Sequence, residues 1–442
     1  MTQRASRSRP ALRSRYDRDI LRLAVPALGA LAAEPLYILV DTAIVGHLGR
    51  AELAALGAAA TVLTVLALFN FLQYGTTAQV SRATGAGDDE TAARMGAQAL
   101  WLSLAVGVLL TALLIALAAP IVAALGVEGR AADLAVTYLR IVSLGLPSAF
   151  LALGGQGFLR GVSDLRTPLV IVIAGNAVNV VLEVLFVYGF GWGIRGSAWG
   201  TAIAQTAMGG LFVWAILRRV GPGRTAFVPS LARRLLRLGT FIFVRTASLL
   251  ASFVLAGAVV ARFGDAPLGA HQIGFQLWIF LALVLDSIAI AGQIIVGREL
   301  GAGRPEDAYR ASVRMIQLSV ATGAGFTLLL LALGSVLPRV FSSDAAVLEQ
   351  CRELWPVFAL MQPLNGAVFA LDGILIGASD GPFIALSMVG AFVVTATLLV
   401  IVLVGDRGVR GVWLALAVLV VVRLLAMGAR FRRRRWLVTG FA

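Results

Sequence analysis

Long apolar stretches alternate with short polar interruptions along the whole chain. Twelve of the stretches are long enough to cross a bilayer as helices. They run at about 20–47, 53–80, 95–119, 131–157, 167–190 and 196–217, then at 238–261, 268–297, 311–337, 350–376, 383–404 and 410–429. The turns between them are short, so the pattern predicts an all-α integral membrane protein with almost all of its mass in lipid. The expected plan is an Arg-rich tail over 1–19, a six-helix lobe over 20–217, a linker loop over 218–237, a second lobe over 238–429 and a basic tail over 430–442.

The two sixes look like copies of one unit. Gly85-Ala86-Gly87 recurs as Gly301-Ala302-Gly303, and Gly161-Val162-Ser163-Asp164 as Gly377-Ala378-Ser379-Asp380, both at an offset of 216. Pro147 falls on Pro363 and Gly157 on Gly373 at the same offset, while Gly193-Ile-Arg-Gly196 recurs as Gly408-Val-Arg-Gly411 at 215. Any one small-residue match is cheap; a run of them at one spacing marks a duplication. An even number of spans per copy inserts both the same way up, with a substrate site expected between or within the lobes near mid-membrane.

Composition agrees with the pattern and narrows the chemistry. Hydrophobic residues make up 59% of the chain, charged residues 14%, and mean hydropathy is +0.89. A water-soluble surface of this size needs about 25% charged residues. All 37 basic residues are Arg. Without a Lys there is no P-loop and no Schiff base, which excludes ATP-driven transport by this chain and PLP-type chemistry. One cysteine, Cys351, excludes a disulfide framework, and two histidines, His47 and His271, leave little for a metal cluster. No nucleophile–base pair is visible, so no enzyme is expected.

The net charge of +14 sits beside the apolar spans rather than on a nucleic-acid-reading surface. With the N-terminus inside, the inner segments carry 26 Arg, from Arg4, Arg7, Arg9 and Arg13 at the start to Arg432–Arg435 at the end, and the outer loops carry 8. That asymmetry predicts two cytoplasmic termini. The first residues lack the short apolar core and cleavage site of a signal peptide.

Carboxylates inside spans cost several kcal/mol unless they face water or a partner, which makes each one a functional candidate. Glu34 and Asp41 lie on one face of the first span, and Pro26 and Pro35 should kink it. Asn176, Asn179 and Glu183 form a stripe along the fifth span. Asp41, Glu183 and Thr201 all fall at a similar depth in the outer half of the first lobe. No Arg sits at that depth, so a proton or a cation should neutralise the acids, with sodium at Asp41 and Glu183 as one option. In the second lobe Arg245 and Asp286 match in depth within roughly 3 Å and are expected to pair, either structurally or functionally. Asp372 lies near the inner end of the tenth span, where a functional role and simple access to cytoplasmic water are equal options. His271 with Gln272 is expected close to the outer interface, His271 as a satisfied structural residue, and His47 is given no role.

These residues also carry a family likeness. The first span from Ala33 to Gly49 (AEPLYILVDTAIVGHLG), the loop Arg160–Pro168 (RGVSDLRTP), and Asn179-Val-Val-Leu-Glu183 followed by Tyr188-Gly189 and Gly196–Thr201 resemble the multidrug and toxic compound extrusion (MATE) family, its DinF-like branch in particular. The resemblance implies a V-shaped pair of lobes and antiport of organic cations or amphiphilic drugs against H+ or Na+, with no cofactor, in a bacterial inner membrane. It places the coupling site on Asp41, Asn179, Glu183 and Thr201, with Glu34, Asn176 and Pro26 supporting, and keeps Asp286, Arg245, Asp372 and Gln272 as secondary candidates. Glu183 stands where the family more often has Asp, which bears on sodium geometry more than on proton binding. The expected partners are a small-molecule substrate and lipid, with the protein a monomer. The rivals are a lipid or lipid-linked precursor flippase of the same superfamily and a membrane assembly protein without transport.

Overall fold

A computed structural model describes residues 15–221 and 223–440; Arg4, Arg7, Arg9 and Arg13 lie outside them. Among the described residues the chain is helical, with no strand. The first half comprises α1 (Arg15–Gly46), α2 (Arg50–Thr64), a 3-10 stretch to Asn70, α3 (Phe71–Gly85), α4 (Asp89–Ala124), α5 (Gly129–Ser143), α6 (Leu146–Gly161), α7 (Arg166–Val184), a π-helical turn (Leu185–Gly189) and α8 (Ile194–Val220). The second half comprises α9 (Pro229–Ala261), α10 (Asp265–Gly301), α11 (Pro305–Ala332), α12 (Leu337–Phe341), α13 (Ala345–Leu360), α14 (Gln362–Gly377), α15 (Gly381–Val404) and α16 (Gly408–Arg432). Ten helical runs are long and apolar enough to cross a membrane, or twelve if α5–α6 and α13–α14 each count as one bent span.

The bends were not part of the sequence expectation, and proline explains them. α5 meets α6 at 51° and α13 meets α14 at 49°. Pro147 and Pro363 stand at the starts of α6 and α14. Each lacks the N–H that would have bonded the carbonyl four residues back, on Ser143 and on Ala359. Those carbonyls accept instead from the hydroxyls of Thr111 and Thr327, both at 2.7 Å. Gly107 and Gly323 make room, because a Cβ on either would overlap the bend. All four pairs keep the 216 spacing. The expected linker over 218–237 also shrinks: α8 runs to Val220 and α9 starts at Pro229.

The named contacts between halves lie from mid-span to the end that carries the described termini. Ile20, Leu23, Ala24 and Ala27 of α1 share a core with Ile290 and Ile294 of α10. α3 crosses α10 where Gly85 and Gly301 remove the side chains between them. Arg82, buried despite its loop-side position, donates to the carbonyls of Ala378 at 2.9 Å, Val438 at 2.7 Å and Gly440 at 2.7 Å. The tail is seated by Trp436 stacked on Phe431 and by Gly440 N–H on the Leu300 carbonyl at 3.0 Å.

Candidate ion-coupling site

Four helices of the first half converge on one buried group of polar side chains. Each of three helices offers a pair one turn apart, and i, i+4 spacing puts both members on one face. The pairs are Tyr37 and Asp41 on α1, Asn179 and Glu183 on α7, and Ser197 and Thr201 on α8; α5 adds Tyr138. α8 can approach because Gly196 and Gly200 form a small-xxx-small face. A Cβ on Gly200 would press on Glu183, and one on Gly196 would collide with the backbone of Phe186. The π turn starts two residues after Glu183, the kind of irregularity that marks functional sites.

The hydrogen bonds are unequal. The Tyr37 hydroxyl donates to Glu183 Oε1 at 2.6 Å and lies 3.0 Å from Thr201 Oγ1, and Thr201 donates to the same carboxylate oxygen at 3.3 Å. Ser197 donates to Asp41 Oδ1 at 2.7 Å. Asp41 is 6% exposed and Glu183 0%. The two carboxyls share this buried cluster, and among the described residues no arginine pairs with or donates to either. Glu183 Oε2 and Asn179 Oδ1 are buried without a partner. Two acids and an amide oxygen with unused lone pairs can hold a proton shared between carboxyls or a small bare cation.

The sequence-selected residues fall into distinct places. Asp41, Asn179, Glu183 and Thr201 come together. Asn176 stands apart: its Nδ2 donates to the Ala33 carbonyl at 3.0 Å and stitches α7 to α1. Glu34 is exposed and forms no hydrogen bond or ion pair among the described residues. Pro26 remains inside continuous α1, far below the acids, beside residues packed on α10. Tyr37, Tyr138 and Ser197 were not anticipated. The i, i+4 register of Tyr37 with Asp41 and of Ser197 with Thr201 was the available signal.

The second half departs from expectation in three ways. Arg245 pairs with Asp372, not with Asp286, and Arg423 reaches the other oxygen of Asp372 at 3.6 Å. Asp286 instead accepts from the Tyr74 hydroxyl on α3 at 2.9 Å, a bond between the halves. Depth had matched Arg245 to Asp286, but helix rotation turns Arg245 toward α14. Asp372 is 4% exposed, too buried for the water access considered from its place near the end of the span. Gln272 is exposed, whereas its neighbour His271 is buried against Phe275 and Trp413 with Nδ1 unpartnered, so it is not a satisfied residue. His47 only caps its own helix, on the Ala43 carbonyl at 2.6 Å. Arg160, read as a loop residue, is buried beside Gln156.

Positions 216 further along carry none of this chemistry. Asp41, Asn179 and Glu183 correspond to Gly257, Thr395 and Leu399.

Comparison with known proteins agrees with this architecture. The MatE family model matches twice, over residues 26–185 and 242–402. Protein DETOXIFICATION 44, chloroplastic, of Arabidopsis thaliana is 32% identical over 429 residues, spanning 94% of this chain and 82% of that one. DNA damage-inducible protein F of Escherichia coli (strain K12) is 31% identical over 435 residues, covering 94% and 92%. A solved structure described as the outward-facing conformation of a multidrug resistance MATE family transporter of the MOP superfamily superposes with a TM-score of 0.86 at 21% identity, over 95% of this chain and 97% of that chain. The chain is a member of the MatE family, the multidrug and toxic compound extrusion transporters of the membrane.

Proposed function

We propose that this transporter exports organic cations or amphiphilic drugs in exchange for protons or sodium, by alternating access, from a bacterial inner membrane with both termini cytoplasmic. The observation that carries the reading is the buried Asp41 and Glu183, with no base bonded to either among the described residues and with open oxygens on Glu183 and Asn179. Negative charge there sets the state of the lobe in which a cationic substrate is held. A proton or sodium ion entering from the other side cancels that charge and releases the substrate. The likeness to DNA damage-inducible protein F supports the DinF-like placement.

The test is substrate efflux from proteoliposomes under a pH gradient and a sodium gradient imposed separately. Asp41→Asn and Glu183→Gln should fold, insert and lose exchange; undiminished gradient-driven export by both would sink the reading. Export under one gradient alone identifies the ion. The buried Arg160 and Arg423 and the half-buried Arg245 favour one rival, a flippase for anionic lipid precursors. Against it, Arg245 and Arg423 already share Asp372. Lipid scrambling with no ion dependence would select the flippase, and absence of any flux would select an assembly protein.

A further inference from the structure

We infer that Glu34, and not the coupling acids, is the group that reads the positive charge of the transported molecule. The inference deepens the cation-export reading and rests on it. Asp41 and Glu183 are sealed: Tyr37 bonds across Glu183, Ser197 caps Asp41, and neither carboxylate presents a surface that a bulky organic ion could touch. A proton or a bare monovalent ion can enter such a space. A molecule carrying aromatic rings cannot enter without displacing Tyr37.

Glu34 has the opposite character. It shares a stripe with Tyr37 and Asp41 at i, i+3 and i+7, so it sits on the face of α1 that turns toward the protein. It is exposed next to Ala33, whose carbonyl accepts from Asn176 of α7, which places it on the wall of the space beside the α1–α7 contact. It has no cation, amide or hydroxyl partner among the described residues. An unpaired carboxylate at this depth is tolerated only where water reaches it. Along the helix it lies about 10 Å from Asp41, which separates the two charges by a full substrate width. Asn176 on the Ala33 carbonyl holds the backbone next to Glu34 in place.

The site therefore takes a monovalent lipophilic cation, its charge on Glu34 and its apolar body in the cleft. Coupling then runs through α1, whose one face bears both the substrate's counter-charge and the ion-binding Asp41.

Binding to the full-length purified protein tests this, with tetraphenylphosphonium as the cation and triphenylphosphine oxide as an uncharged aromatic of related shape. The wild type should prefer the cation at least tenfold. Glu34→Gln should lose at least tenfold affinity for the cation, keep the uncharged probe within about twofold, and regain much of the preference as Glu34→Asp. Asp41→Asn and Glu183→Gln should keep the cation preference. Retained preference in Glu34→Gln, or loss of it in both coupling-acid variants with Glu34 intact, overturns the assignment. A wild type with no preference at all overturns the cation-export reading itself, a separate outcome. Loss of the uncharged probe in Glu34→Gln would show an effect on cleft shape rather than on charge and would also overturn the assignment.

Discussion

Gly85 and Gly301 press against each other's helix reciprocally: each lies on the carbonyl of the residue three positions before the other, Arg298 and Arg82. The two glycines are one position of the repeat, so the crossing of α3 and α10 is a point of two-fold relation between the halves. A side chain on either forces the helices apart. Gly85→Ala and Gly301→Ala should each destabilise by about 1–3 kcal/mol, the usual cost of overpacking. Thermal unfolding in detergent should show similar losses for the two single variants and no larger sum for the double, because they disturb the same contact.

Tyr37→Phe removes one hydroxyl and leaves the ring. Glu183 Oε1 then keeps only the longer Thr201 bond. A hydrogen bond to a charged group contributes about 1.5–3 kcal/mol. Exchange should slow by about tenfold or more while the fold holds, which flux and unfolding measured on one preparation would show. Unchanged flux would remove Tyr37 from the site.

Asp372→Asn strands the buried guanidinium of Arg423 and the half-buried one of Arg245. Arg245 and Arg423 share this carboxylate, and breaking a buried ion pair by removing one partner costs about 3–5 kcal/mol. The variant should unfold at a clearly lower temperature than Asp286→Asn, whose partner is the neutral Tyr74 hydroxyl. Equal stability of the two variants would contradict the pairing.

Asp164, in the turn between α6 and α7, offers a pH test outside the bilayer. Burial works against its charged form, but hydrogen bonds from Thr167 and the Arg219 guanidinium outweigh this and hold the carboxyl below its usual 3.8. A depressed acid contributes fully above the unfolded value and loses that contribution as pH falls through the folded one. Asp164→Asn should lower stability at neutral pH by about 0.5–1 kcal/mol, since Arg219 is largely solvated. It should also flatten the acid limb of the melting-temperature profile below about pH 4.

Spans, duplication and the trio of Asp41, Glu183 and Thr201 were legible because lipid imposes length and forbids stray charge, so hydropathy and depth carry real information. Pairing across helices was not legible. Depth supplies one coordinate; the rotation of α9 that delivers Arg245 to Asp372 depends on packing of every neighbour. Tyr37, Tyr138 and Ser197 escaped notice because a hydroxyl in a span costs little and so raises no alarm. The bends at Pro147 and Pro363 were hidden by hydropathy that runs unbroken through them. Arg82 and Arg160 read as loop charges because helices α3 and α6 end just beyond them.

The clasp that Arg82 makes on the tail has a consequence for how the transporter can be switched. Its acceptors are main-chain carbonyls, of Ala378, Val438 and Gly440, and its donor keeps its proton throughout the physiological range. Neither side can sense acidity. The Arg82 clasp thus holds the two halves and the tail together without a titrating group of its own; the titratable groups at this end are the carboxylates paired with arginine, such as Asp380 with Arg430 and Glu306 with Arg434. At 438 the clasp uses only the main chain and tolerates any side chain, whereas Gly440 is held at a positive φ of 86°, where a side chain would be strained.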